Sequence, residues 1–191
     1  MTIPFPNKKY SIIYADPPWS YSDKMSGHSF SLDHEYRTMD KKWIQNLPVK
    51  TLAEKDCALF LWVVSPMLDE GIDTLKAWGF KYVTVAFCWS KEHQGSGLDV
   101  ANLGRWTMGN VELCLLGKTG APKRIEKNVR QLVRAPRGRH SEKPAEVRDR
   151  IVRVCGDVSR IELFARSAAP GWDCWGDQAP AAVASELEGL I

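Results

Sequence analysis

This sequence predicts an α/β domain built on a mostly parallel sheet, and three observations carry that prediction. Near-continuous apolar runs such as "SIIYA" (Ser11–Ala15), "CALFLWVV" (Cys57–Val64) and "KYVTVAFCW" (Lys81–Trp89) have the character of strands covered on both faces. Amphipathic segments with helix punctuation at their ends alternate with them. Polar, chemically capable residues such as Asp16 and Arg166 follow strand ends, where ligands bind in open α/β sheets.

Taken in order, the first strand stops at Asp16, and "DKKWIQNL" predicts a short helix capped by Asp40. After the strand Cys57–Val64, Pro66 opens "MLDEGIDTLKAWG". There Met67, Leu68, Ile72, Leu75 and Trp78 recur at helical spacing, and Gly79 supplies the stop. Lys81–Trp89 and "VELCLLG" (Val111–Gly117) predict further strands. Residues 90–110 between them, rich in glycine and polar side chains, predict a long loop of the kind that is functional or mobile. "PAEVRDRIVRVCG" predicts a helix with Pro144 in its first turn and Gly156 at its end. "SRIELFAR" (Ser159–Arg166) is the last clear strand, and the tail from Ala179 predicts a loosely attached helix.

Composition narrows the class. The 191 residues predict one domain over positions 1–191, and 44% hydrophobic with 26% charged residues is ordinary for a globular protein. No stretch of about 18 apolar residues exists to cross a membrane, and prolines interrupt the N-terminus where a signal peptide needs an apolar run. An intracellular, cytoplasmic protein is expected. The five cysteines are odd in number and lack C-x-x-C spacing, which argues against a disulfide framework or a zinc knuckle. Cys57, Cys88 and Cys114 are expected as reduced core residues. The four histidines show no ligand spacing, so no metal is expected.

Charge is unevenly spread. Residues 121–140, "APKRIEKNVRQLVRAPRGRH", carry seven Lys or Arg and one Glu; the chain's +3 less this +6 leaves −3 elsewhere. A basic segment on a mildly acidic body points to a polyanion partner, with a solvated surface loop as the plainer alternative.

The most specific stretch is "YADPPWSY". Asp16 offers a carboxylate, and Pro17 a carbonyl without a competing N–H. The Pro17 ring also holds Asp16 extended. Trp19 adds a flat aromatic surface. Such a rigid acceptor cluster suits an exocyclic aromatic amine: fixed acceptors meet its N–H donors while the base ring stacks on indole. Drawing on both N–H groups localises the amine's lone pair for attack on an electrophile placed in line, and a sulfonium methyl donor needs no metal. A turn with a packed tryptophan is the plainer reading of P-P-W alone; the preceding acid and strand favour the chemical one.

"ADPPW" resembles motif IV of the amino-methyltransferases. With "YRTM", "LFLWV", "AWGF", "RWTMGNVELCLLGKTG", "SEKPAEV", "RIELFAR" and "WGDQ" following in order, the chain resembles the MT-A family of adenine N6-methyltransferases, especially its small prokaryotic and phage members. The resemblance runs from about Tyr10 to Gln178. It implies a Rossmann-like class I methyltransferase fold, permuted so that the catalytic motif precedes the donor-binding motif, with S-adenosyl-L-methionine as donor.

The resemblance further implies that Asp16, Pro17, Pro18 and Trp19 form the catalytic cluster. Asp16, Lys143, Phe164, Arg166, Asp177 and Gln178 would bind the donor, Lys143 meeting its carboxylate and Glu162 holding Arg166 or neighbouring backbone. Tyr36, Arg105, Trp106, Arg134, Arg137 and Arg139 would contact nucleic acid, and Glu112 would orient the pocket. Asp177 stands where the family has Asn, and Ala168 and Ala169 replace ribose-binding side chains. DNA is the leading substrate; RNA, or a catalytically silent nucleic-acid-binding subunit, are the alternatives. Assembly is expected as a monomer or dimer, or with a partner subunit.

Overall fold

The structure is a computed structural model and describes residues 3–20, 39–101, 103–104, 106–138 and 142–179. The three apolar runs become β1 (Tyr10–Ala15), β2 (Ala53–Val64) and β3 (Lys81–Glu92). They are joined by β4 (Val111–Thr119), β5 (Leu132–Pro136), β6 (Arg160–Leu163) and β7 (Asp173–Trp175). One seven-stranded sheet results, in the order β5-β3-β4-β2-β1-β6-β7. Every strand but β4 runs in the same direction, because β4 pairs antiparallel with both β2 and β3.

Alternation along β1 explains why its run is apolar from Ile12 to Ala15. Ile13 and Ala15 face one core together with Leu59, Leu61 and Val63 of β2; Ile12 and Tyr14 face the other with Ala58, Phe60 and Trp62. Helices α1 (Lys41–Gln45) and α2 (Leu68–Ala77) cover the first face through Ile44 and Leu75, with Trp78 just past α2. Helix α3 (Glu146–Cys155) covers the second face through Val147 and Ile151. Each fully buried aliphatic in these layers contributes about 1.5–3 kcal/mol. The predicted stops hold: Gly79 and Gly156 follow α2 and α3 with positive φ of 80° and 91°, a backbone region that favours glycine.

Several expectations change in detail. Asp40 precedes α1, but its side chain makes no capping bond; its carbonyl instead accepts from the Ile44 N–H. Pro66 lies in a 3-10 turn, Ser65–Met67, that leads into α2. Cys57 and Cys114 are buried, whereas Cys88 is only half-buried, since Phe87 and Trp89 beside it take the core positions. Part of the basic run, including Arg134, is an ordered edge strand, β5, laid parallel to β3. The last clear strand ends at Leu163 because Phe164 turns the chain with φ 61°. The tail from residue 180 lies outside the described residues.

Candidate active site

In a sheet of this kind the carboxyl ends of the parallel strands share one edge. Asp16 sits there, directly past β1. Because β4 is reversed, its first residues reach that same edge, which brings Glu112 beside the end of β2 and opposite Trp89 of β3. Lys91, next to last in β3, joins them. The segment leading into α3 delivers Lys143.

These four side chains form a line of alternating charge. Lys91 Nζ lies 2.5 Å from Glu112 Oε1, Glu112 Oε2 lies 3.2 Å from Lys143 Nζ, and Lys143 Nζ lies 2.8 Å from Asp16 Oδ2. All are largely shielded: Glu112 keeps 9% of its side-chain exposure and Lys143 10%. Burial alone would push the Glu112 carboxyl up, but the Lys143 and Lys91 ammonium groups outweigh it and hold it below its usual range. Burial would likewise lower Lys143; Asp16 and Glu112 win, and its ammonium is raised.

Aromatic side chains make the floor. The Lys143 ammonium stands 5.6 Å from the centre of the Trp62 ring. Trp62 Nε1 donates to the Tyr14 hydroxyl at 2.6 Å, and burial pushes that hydroxyl's pKa well up, so it stays protonated. Trp19 Nε1 donates to the Trp62 carbonyl at 2.9 Å, which fixes the indole against the same support. Arg148 of α3 lies over the Tyr14 ring and grips Glu162 with two bonds, at 2.6 and 2.9 Å. Glu162 thus holds Arg148, a partner the sequence expectation for Glu162 did not name.

The opening quartet is ordered as a tight acceptor turn. The Pro17 carbonyl accepts from the Trp19 N–H at 2.8 Å and the Pro18 carbonyl from the Met39 N–H at 3.0 Å. A carbonyl has two lone pairs, so each retains acceptor capacity.

The remaining candidates divide by strand order. Phe164 and Arg166 follow β6, and Asp177 and Gln178 follow β7, all on one side of β1. Phe164 holds a left-handed backbone and packs edge-on against Trp175, with ring centroids 5.6 Å apart. Gly176 lies so close that a Cβ there would meet Phe164 Cα at 2.9 Å, so the "LFA" and "WGD" turns are pressed together. Arg134 and Arg137 belong to β5 and its exit, on the far side of β3, and Trp106 rises from the β3–β4 loop with 98% of its surface exposed. Tyr36, Arg105 and Arg139 lie outside the described residues.

Lys91 is the residue that sequence reasoning missed. The signal was available: it is the first cation at the end of a buried strand, the same position that singled out Asp16. A surface cavity of about 230 Å³, lined by Asn128, Arg130, Glu146, Asp149, Arg150 and Arg153, lies on the outer face of α3 and includes none of these residues.

The MT-A70 family pattern matches residues 10–178. A type II methyltransferase, M.MunI from Mycoplasma sp, is 39% identical over 193 residues, covering 92% of this chain and 80% of its own length. An N(6)-adenosine-methyltransferase MT-A70-like protein of Drosophila melanogaster is 29% identical over 89% of this chain and 27% of its own length. The human N(6)-adenosine-methyltransferase catalytic subunit METTL3 is 29% identical over 89% of this chain and 28% of its own. This chain thus spans little more than a quarter of those two longer relatives. The stretch that matches the family opens on β1 and closes just past β7, enclosing every strand end that builds the charged edge: the chain belongs to the MT-A70 family of methyltransferases and has its Rossmann-like fold.

Proposed function

We propose that this protein transfers a methyl group from S-adenosyl-L-methionine to the exocyclic amine of adenine in DNA. The observation that carries the reading is the Asp16–Lys143 pair at the middle of the edge. An amino-acid zwitterion has an ammonium and a carboxylate, and this pair offers each its opposite charge. The donor set therefore fits the methionine end of the donor. Phe164, Arg166, Asp177 and Gln178 extend the same side for its adenosine, and bound there the donor supplies an electrophilic methyl carbon.

The protein's own residues then have separable tasks. Lys143 takes the donor carboxylate, with Glu112 limiting its movement. Asp16 accepts an N–H of the target amine, assisted by the Pro17 carbonyl, and turns the nitrogen lone pair toward the donor side. Trp19 stacks against the base. After transfer the cationic amine sheds a proton, for which Asp16 is the adjacent acceptor. A base inside a duplex cannot reach this edge, so the target is extruded or single-stranded. Arg134, Arg137 and Trp106 on the β3–β5 side support the strand, and the proposal extends to Tyr36, Arg105 and Arg139. In this reading the catalytic motif precedes the donor-binding motif along the chain.

M.MunI, at 39% identity, supports DNA; the relatives named for N(6)-adenosine support RNA as the second reading. The test is methylation of matched DNA and RNA oligonucleotides with isotopically labelled donor, followed by nucleoside mass spectrometry. Label in N6-methyldeoxyadenosine supports the proposal, and label confined to N6-methyladenosine moves it to RNA. Oligonucleotide binding with no transfer to either and no donor binding by calorimetry would make this a silent nucleic-acid-binding subunit.

A further inference from the structure

We propose that Lys91 is a positioning residue of this site: by holding one oxygen of Glu112 it aims the other at Lys143, and so sets where the Lys143 ammonium stands for the donor carboxylate. The inference rests on the methyl-transfer reading and deepens it. Two facts separate Lys91 from a surface lysine. Its backbone is pinned on both sides of the strand end, its N–H donating to the Asn110 carbonyl at 3.0 Å and its carbonyl accepting from the Val100 N–H at 2.8 Å. Its ammonium lies 5.3 Å from the centre of the Trp89 ring and 2.5 Å from Glu112, with only 16% of the side chain exposed.

Without Lys91 the four charges no longer cancel. Among the described residues Glu112 then has Lys143 as its one close cationic partner, and draws it from Asp16. Removing one partner of a charge pair buried this far is costly, because it leaves the other charge under-compensated. Lys91 thus acts through Glu112, which separates it from a phosphate-binding lysine of the basic surface.

The experiment measures S-adenosylmethionine affinity by calorimetry, and the salt dependence of oligonucleotide binding, for Lys91→Met, Lys91→Arg, Glu112→Gln and the double variant Lys91→Met/Glu112→Gln. Lys91→Met is expected to weaken donor binding about tenfold and Lys91→Arg to restore most of it, with the salt slope unchanged. In the Glu112→Gln background, Lys91→Met is expected to have no further effect, because its route to Lys143 is already cut. That background also removes the orphaned carboxylate, so a misfolded single variant does not end the test. Equal donor affinity in wild type and Lys91→Met, an undiminished effect in the Glu112→Gln background, or a salt slope lower by about one would each overturn the assignment. A wild-type protein that binds no donor would instead defeat the methyl-transfer reading itself.

Discussion

The ammonium of Lys143 lies 2.8 Å from a carboxylate oxygen of Asp16, across 127 positions of chain. It joins the end of β1 to the segment that leads into α3, at the middle of the sheet edge. Phe164, Arg166, Asp177 and Gln178 follow strands on one side of that pair, and Arg134 and Arg137 belong to β5 and its exit on the other, so the proposed donor and nucleic-acid roles have separate measurable signatures.

Asp16→Asn keeps the shape of the side chain and removes its charge. Methyl transfer in a single turnover is expected to fall by roughly 10²–10⁴-fold, while donor affinity falls by no more than about tenfold, because the amide still accepts from the donor ammonium and Lys143, held by Glu112, still meets the carboxylate. An Asp16→Asn variant with wild-type turnover would remove Asp16 from the mechanism.

The paired charges also set a pH dependence. Glu112 is held below its usual 4.5, so its stabilising pairing is complete above that value and is lost as pH falls through the depressed pKa. Lys143 is raised above its usual 10.5, so its contribution is complete below that value and is lost as pH climbs through the raised pKa. The stability difference between wild type and Glu112→Gln, from urea midpoints, should be flat between about pH 5 and 10. It should shrink in acid. A difference that changes steadily between pH 6 and 8 would contradict the pairing of Glu112 with Lys143 and Lys91.

Under the proposed function, Arg134 and Arg137 bear on affinity rather than chemistry. Both are exposed, and Arg134 reaches Asp99 only at 3.9 Å, so neither is tied to the core. Charge reversal at both should weaken oligonucleotide binding and reduce the salt slope by about one for each phosphate no longer neutralised, with donor affinity unaltered. An unchanged slope would route the strand elsewhere.

Trp106 has almost no packing to lose. Trp106→Ala should therefore leave the unfolding midpoint unaltered while weakening single-stranded oligonucleotide binding by about 1–3 kcal/mol, the range for one base stacked on an aromatic ring. A drop in thermal stability with binding intact would make it a packing residue.

What the sequence determined by itself was local. A strand covered on both faces is a short apolar run, and a helix end carries its own punctuation, so β1 to β4, α2 and α3 were legible within windows of about ten residues. Asp16 was legible too, because the run ends where the acid begins, and the motif order pointed to Lys143. β5 and β7 were not: "LVRAP" and "DCW" are short and polar-flanked, and they are strands because neighbouring edges pair with them. Nor were the partners of Glu112 and Glu162. Lys91 is 21 positions from Glu112, and Arg148 is 14 from Glu162. Only the reversal of β4 and the crossing of α3 close those gaps. Ion pairing depends on distance in space, and strand order, which no local pattern states, converts chain separation into distance.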